Sequence, residues 1–198
     1  MKYPKLRELR EAVRAILKGP YTSRFPYQPH QPFSAFRGRP KFSEEDCVGC
    51  TACSQVCPTG AIEWRDDKKR KKRLLTVRWD LCIFCGQCEA NCLSVKGIKL
   101  SGDFDLSTIN RRELSQTIEK NLVLCECCCE VIAPHDQILW VADKIKSLLF
   151  SNASLMLYYL QNKGVCDKEI SLLQEPVLRA DRLRILCPAC RRKAVYKS

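Results

Sequence analysis

Two phased runs of cysteine constrain this chain more than any other feature: Cys47-x2-Cys50-x2-Cys53-x3-Cys57-Pro58, then Cys82-x2-Cys85-x2-Cys88-x3-Cys92. A cubane iron–sulfur cluster takes four thiolates. A tight loop presents three of them at two-residue gaps, and the fourth must come from elsewhere. Where one chain holds two such clusters, the fourth cysteine of each run serves the other cluster. The expected ligand sets are therefore Cys47, Cys50, Cys53 and Cys92 for one [4Fe–4S] cluster, and Cys82, Cys85, Cys88 and Cys57 for the second. Zinc knuckles or a disulfide scaffold are the alternatives. Zinc sites usually pair two CxxC units across a longer gap, which does not account for four cysteines within eleven residues, twice.

The 198 residues leave room for one or two small domains. The fifteen cysteines are an odd number. No apolar segment follows Met1-Lys2-Tyr3-Pro4-Lys5, so no secretory signal is expected. Metal-bound thiolates in a reducing compartment fit better than secreted disulfides. No run approaches the roughly 18–20 apolar residues that cross a bilayer. The greasiest stretch, Ser147 to Leu160, is broken by Ser151, Asn152 and Ser154 and reads as a buried or interface helix. The formal charge of +12 counts every cysteine as neutral. Two clusters and one S4-bound zinc ion, each about −2 with its thiolates, lower it to roughly +6. That weakens a nucleic-acid reading.

Residues 1–42 are expected to form a helix and a docking arm. Leu6, Leu9, Val13, Ile16 and Leu17 share one stripe of a helix over 4–18, with Lys5, Arg7, Arg10, Arg14 and Lys18 around it and Gly19-Pro20 as a stop. Such a helix docks on its own domain, lies in a membrane interface, or fits a partner's groove. Five prolines between Pro20 and Pro40 alternate with Tyr21, Phe25, Tyr27, Phe33, Phe36 and Phe42, which predicts an extended arm against a surface. Residues 43–102 repeat at an offset of 35 and read as a pseudo-two-fold two-cluster ferredoxin module. Val48, Val56, Ile62, Ile83, Phe84, Val95 and Ile98 would shield the clusters. Asp66 to Arg73 reads as a charged hairpin tip, solvated or docking an acidic electron donor. Residues 103–124 are expected to be a linker with a helix running to about Lys120.

Residues 125–198 hold a third candidate site. Cys125-x2-Cys128 and Cys187-x2-Cys190 are two CxxC knuckles separated by a helical insertion. They predict a tetrahedral S4 site for Zn2+ or a single rubredoxin-like iron in a zinc-ribbon-like module. Cys127 or Cys129 could replace one ligand, and Cys166 reads as a buried thiol. His30 and His135 lack catalytic company, and no nucleophile–base pair or phosphate loop is present. The chain is α+β and is expected to be non-catalytic itself.

Gly19-Pro20-Tyr21-Thr22, Phe25-Pro26, Phe36-Arg37-Gly38-Arg39 and Cys82-Ile83-Phe84-Cys85-Gly86-Gln87-Cys88 resemble the eight-iron ferredoxin-like subunit of respiratory complex I. So does the stretch from Phe104-Asp105-Leu106 to Arg112-Glu113-Leu114. Leu93 stands where that family usually has proline after the last cysteine of the second run. Cys125-Glu126-Cys127-Cys128, Ala133 to Ile138 and Cys187-Pro188-Ala189-Cys190-Arg191-Arg192 resemble the corresponding subunit of formate hydrogenlyase and related membrane-bound [NiFe] hydrogenases. The resemblance implies a peripheral subunit on the cytoplasmic face of the cell membrane. It would pass electrons from a soluble donor module to the hydrogenase small subunit, in complex with the large subunit and membrane subunits. A quinone-reducing NADH dehydrogenase-like complex is the alternative, and a free ferredoxin the weaker one.

Overall fold

The computed structural model describes residues 5–19, 22–166 and 184–196. It divides into two compact units, Met1–Phe36 and Arg37–Ser198. In the first, α1 spans Leu6–Lys18, as its periodicity predicts. The Lys5 backbone N–H donates to the Glu8 carboxylate at 3.0 Å, which closes the first turn. Gly19 ends the helix with φ 86°. No residue of α1 is buried, and Leu6, Ile16 and Leu17 are 80% exposed or more. The arm that follows is made of turns and extended chain, with Tyr27 and Phe33 exposed.

The second unit begins inside the expected arm, because Pro40–Phe42 is a strand. This β1 pairs antiparallel with β4 (Ile98–Leu100), Pro40 opposite Leu100 and Phe42 opposite Ile98. The repeat is visible in the backbone. Helix α2 (Ala52–Gln55) and helix α3 (Gln87–Ala90) sit at equivalent places in the two runs. Gly49 and Phe84, Thr51 and Gly86, and Gly60 and Val95 all share left-handed φ values between 54° and 80°. Each equivalent pair holds one glycine and one residue that pays a steric penalty for that turn. A loop that folds three thiols inward around one point needs those turns.

The other sheet has the order β2-β3-β5-β6. Strand β2 (Ile62–Asp67) and strand β3 (Lys72–Arg78) form a hairpin whose turn is 68–71, so the expected charged tip is shorter than the charge run. Strand β3 alternates strictly, with Arg73, Leu75 and Val77 inward. Strand β5 (Ser115–Leu124) corrects the expected helix to Lys120; among residues 103–114 only a short 3-10 turn, Arg111–Glu113, is helical. Ile118, Lys120 and Leu122 point inward while Thr117, Glu119 and Asn121 point out, a period of two. Seven register pairs with β3, from Lys72–Asn121 to Arg78–Ser115, satisfy its backbone. Strand β6 (Val131–Pro134) pairs with β5 across a bulge and leads into α4 (His135–Ile145). The dicluster and C-terminal modules, expected as separate domains at 43–102 and 125–198, thus share one sheet.

The core of that sheet is Leu75, Val77, Ile118, Ile62 and Ile98, with Phe42 and Trp79 over it. The Trp79 indole donates to the Pro40 carbonyl at 2.7 Å and holds β1 in place. The apolar stretch from Ser147 is a 3-10 segment to Ser151 and then α5 (Ala153–Asn162), with Asn152 capping it through Leu155 N–H. The last helix, α6, is Pro188–Tyr196. Part of the expected insertion between Lys144 and Arg184 lies outside the described residues.

Candidate iron–sulfur and metal centres

The eight cysteines of the two runs sort into two cavities. One is walled by Cys47, Cys50, Cys53 and Cys92, with Phe42, Val48, Leu75 and Ile98 supplying apolar cover. The other is walled by Cys57, Cys82, Cys85 and Cys88, with Pro40, Ile62, Ile83, Phe84 and Leu100 around them. Each wall takes three cysteines from one run and one from the other. Of the expected shielding residues, Val56 and Val95 are on neither wall, and Val95 is exposed. Phe42, Leu75 and Leu100 were not anticipated, because they reach the cavities through strand pairing and not through the repeat.

Four of these thiols, Cys47, Cys53, Cys82 and Cys88, are set against ionising by their burial. Burial pushes Cys53 up to about 12, with the nearby Cys47, Cys50 and Cys88 thiolates adding to it. Burial likewise pushes Cys88 up to about 11, and Cys47 and Cys82 upward. Cys57 differs. Burial raises it, but the Thr59 hydroxyl and the N–H groups of Thr59, Ala61 and Ile62 outweigh that and hold it below the usual thiol range. Cys92 lies 3.6 Å from the Ser94 hydroxyl. Gly97 closes the first cavity: a Cβ there would lie 3.0 Å from the Cys47 Cα and 2.7 Å from Ser94 Oγ.

The Cys47–Cys53 loop is also backed by cations. Arg73 Nη1 donates to the Gly49 carbonyl at 2.9 Å, while its Nε and Nη2 hold both Asp66 carboxylate oxygens at 2.7 and 2.8 Å. Lys120 Nζ donates to the Glu44 carbonyl and, at 2.9 Å, to Asp136. Arg73 belongs to the charge run read as a hairpin tip, yet it is buried. Elsewhere in that run Lys68 pairs with Glu130 at 2.9 Å, and Arg70 and Lys72 pair with Glu119.

At the far end of the sheet the Sγ atoms of Cys125, Cys128, Cys187 and Cys190 all lie within 4.8 Å of one another. Four thiolates around one Zn2+ at about 2.3 Å stand about 3.8 Å apart, so small side-chain adjustments would close the set on a metal. Cys125 follows β5, and Cys187 and Cys190 bracket the start of α6. The knuckles are zipped together: Glu126 N–H donates to the Ile185 carbonyl at 3.0 Å, and Ile185 N–H to the Glu126 carboxylate at 3.1 Å. Ser154 on α5 accepts from Leu186 N–H at 3.0 Å. Burial raises the Cys125 thiol, but the N–H groups of Cys128, Cys187 and Cys127 outweigh it and bring it down to about 6. The Cys190 thiol is pushed up by its contacts with Cys128 and Cys187. Cys127 and Cys129 are exposed and outside the four, and Cys166 is half-buried, not the buried thiol expected. His135 hydrogen-bonds Tyr158 through Nδ1.

Two crossed four-cysteine cavities are the arrangement that a pair of four-thiolate clusters requires. Residues 32–95 match the family model of the 4Fe-4S dicluster domain. The chain is 32% identical over 101 residues to NAD(P)H-quinone oxidoreductase subunit I of Gloeobacter violaceus, covering 48% of each chain. It is 37% identical over 105 residues to the chloroplastic subunit I of Chloranthus spicatus, covering 48% of this chain and 56% of that one. It therefore spans about half the length of the curated relatives it matches. Among solved structures it is similar to a chain of the membrane-bound sulfane sulfur reductase, an archaeal respiratory membrane complex. That likeness has 24% identity, covers 58% of this chain and 61% of the other, and has a TM-score of 0.40. No described helix is long and apolar enough to cross a membrane.

Proposed function

We propose that this chain is an electron-relay subunit of a membrane-associated, complex-I-like oxidoreductase. It carries one [4Fe–4S] cluster on Cys47, Cys50, Cys53 and Cys92 and a second on Cys82, Cys85, Cys88 and Cys57. The observation that carries this reading is the crossed sorting of the eight cysteines into two adjacent cavities. Cys53 and Cys88, one from each cavity, are close enough to feel each other's charge. Neighbouring one-electron carriers in one rigid core suit relay and not bond-making chemistry. Electrons would arrive from a donor module and leave towards a neighbouring subunit at the cytoplasmic face of the cell membrane, with α1 near the membrane subunits.

Two acceptors are compatible with the site. The names of the curated relatives favour a quinone-reducing complex. The C-terminal four-cysteine site and its flanking residues favour a [NiFe] hydrogenase of the formate hydrogenlyase type, with its small and large subunits as partners. At that site we infer Zn2+, or a single iron, bound by Cys125, Cys128, Cys187 and Cys190. A closed S4 set with no open position serves folding, as structural zinc does.

Anaerobic isolation from native membranes in mild detergent, followed by mass spectrometry and metal analysis, tests the reading. Two cubanes per chain with quinone-module subunits place it on the respiratory side. Co-purifying nickel and a hydrogenase large subunit place it on the other. A chain that is monomeric and partner-free in its native extract refutes the relay-subunit reading.

A further inference from the structure

Arg73 and Lys120 occupy places that a sheet built only for stability would avoid. They are direct register partners on β3 and β5, and their side chains are 10% and 8% exposed. Like charges directly opposite each other destabilise a strand pair, and a buried cation is costly even with a partner. Both carry their charge to the same piece of backbone. Arg73 Nη1 reaches the Gly49 carbonyl, and Lys120 Nζ the Glu44 carbonyl. The Lys120 stem lies against Gly49, where a Cβ would meet the Lys120 Cβ at 3.3 Å. The two cations thus bracket the segment 44–49, which holds Cys47. Leu75, the next inward residue after Arg73 on β3, lines the first cavity about 7 Å along the strand.

The second loop lacks this arrangement among the described residues. Its cation contact is Arg37 Nη1 with the Cys85 carbonyl at 3.4 Å, and it is exposed, where solvent screens it. The counter-charges of the buried pair are Asp66, the register partner of Arg73 on β2, and Asp136 at the start of α4, whose side chain is 38% exposed.

We propose that Lys120, with Arg73 beside it, sets the reduction potential of the cluster held by Cys47, Cys50, Cys53 and Cys92. The inference rests on the reading of that cavity as a cluster site. One electron from a reductant converts [4Fe–4S]2+ to [4Fe–4S]+, with no bond broken and no proton required. With four thiolates the charge goes from about −2 to about −3. A fixed cation behind the loop favours the more negative state. Burial of Cys47 and Cys53 opposes it, so the cations offset the desolvation that so deep a cluster suffers.

The test is an anaerobic redox titration of the full-length, cluster-loaded chain with dithionite and mediators, followed by electron paramagnetic resonance. The first cluster's signal is identified by its change in Cys50→Ser. Lys120→Met should lower the equilibrium constant for reducing that cluster at least tenfold, or 59 mV for one electron, and move the second cluster far less. Lys120→Arg should restore most of the shift. Asp136→Asn should move the same cluster upward, because it removes the counter-charge and leaves the lysine. Two loaded clusters with potentials unchanged in Lys120→Met, or shifted alike, overturn the proposal. If Lys120→Met does not load, the absence of an upward shift in Asp136→Asn overturns it. Failure of the unmutated chain to hold two clusters by iron and sulfide analysis overturns the underlying reading instead, and is distinguishable from an unmoved potential.

Discussion

Gln116 pairs with Phe42 as another strand would: Phe42 N–H donates to Gln116 Oε1 at 2.8 Å, and Gln116 Nε2 donates to the Phe42 carbonyl at 3.2 Å. One side chain on β5 thereby satisfies both backbone groups of a residue in the roof of the first cavity. Gln116→Leu leaves those groups unpaired. It should cost about 1–3 kcal/mol and release iron from the first cluster faster than from the second, as followed by absorbance loss with a chelator present.

Crossed ligation predicts an exchange of damage between the runs. Cys57→Ser should perturb the cluster on Cys82, Cys85 and Cys88, and Cys92→Ser the one on Cys47, Cys50 and Cys53. Iron counting and electron paramagnetic resonance of each variant decide it. Loss of the same run's cluster in either case contradicts the assignment.

Gly97→Ala tests close approach with every cysteine retained, although its Cβ would also lie 3.3 Å from the Cys92 Sγ. The new Cβ would meet the Cys47 backbone at 3.0 Å, and backbone cannot swing aside as a flexible side chain does. The expected result is a chain that folds but loses most of its first-cluster signal while keeping the second.

Acid should strip the third metal before it harms the sheet. Cys125 is held down to about 6 and Cys190 is held up. In the metal-free chain the depressed Cys125 contributes stability above the ordinary thiol value near 9, and this is lost as pH falls towards about 6. The raised Cys190 acts in the other direction, costing stability as pH rises past that same value. Metal binding requires all four to be thiolates, so it releases protons and tightens as pH rises. Competition with a chromophoric chelator from about pH 6 to 8 should show zinc affinity rising at least tenfold per pH unit. A flat profile would contradict four-thiolate binding.

The stripe on α1 should govern association and leave the clusters alone. Leu9→Asp with Ile16→Asp places two charges on its apolar face. The expected outcome is loss of co-purification with membranes at unchanged iron content, checked by fractionation. Retention in the membrane fraction would assign that role to other parts of the chain.

The repeat was legible because cluster ligation is local: thiol spacing within each run restricts the loop, and the left-handed turns follow. Helix α1 was legible for a similar reason, since its stripe and its glycine stop lie within one segment. Strand β5 was not. The segment from Leu106 to Glu113 reads as a loop into a helix, and only the ladder to β3, about forty residues back, makes Ser115–Leu124 extended. Arg73 and Lys120 were invisible as buried groups for the same cause. A lysine in an alternating polar strand and an arginine in a charge run look like surface, and their carboxylate partners are chosen by register. At the third site spacing identified the four thiols that converge, but Cys127 and Cys129 were separated from them only by the turn geometry around Cys129, whose φ is 57°.

The shared sheet sets a limit on protein engineering. A fragment ending near Gly102 would contain every cysteine of the two runs, and on spacing alone it looks like a portable miniature. It would lack β5, however, and with it the cover over Leu75 and Val77, which are 0% exposed in the whole chain. Its β3 would become a bare edge of unpaired amides, which invites aggregation. A piece meant to keep the first cavity covered must therefore reach at least through β5, to Leu124.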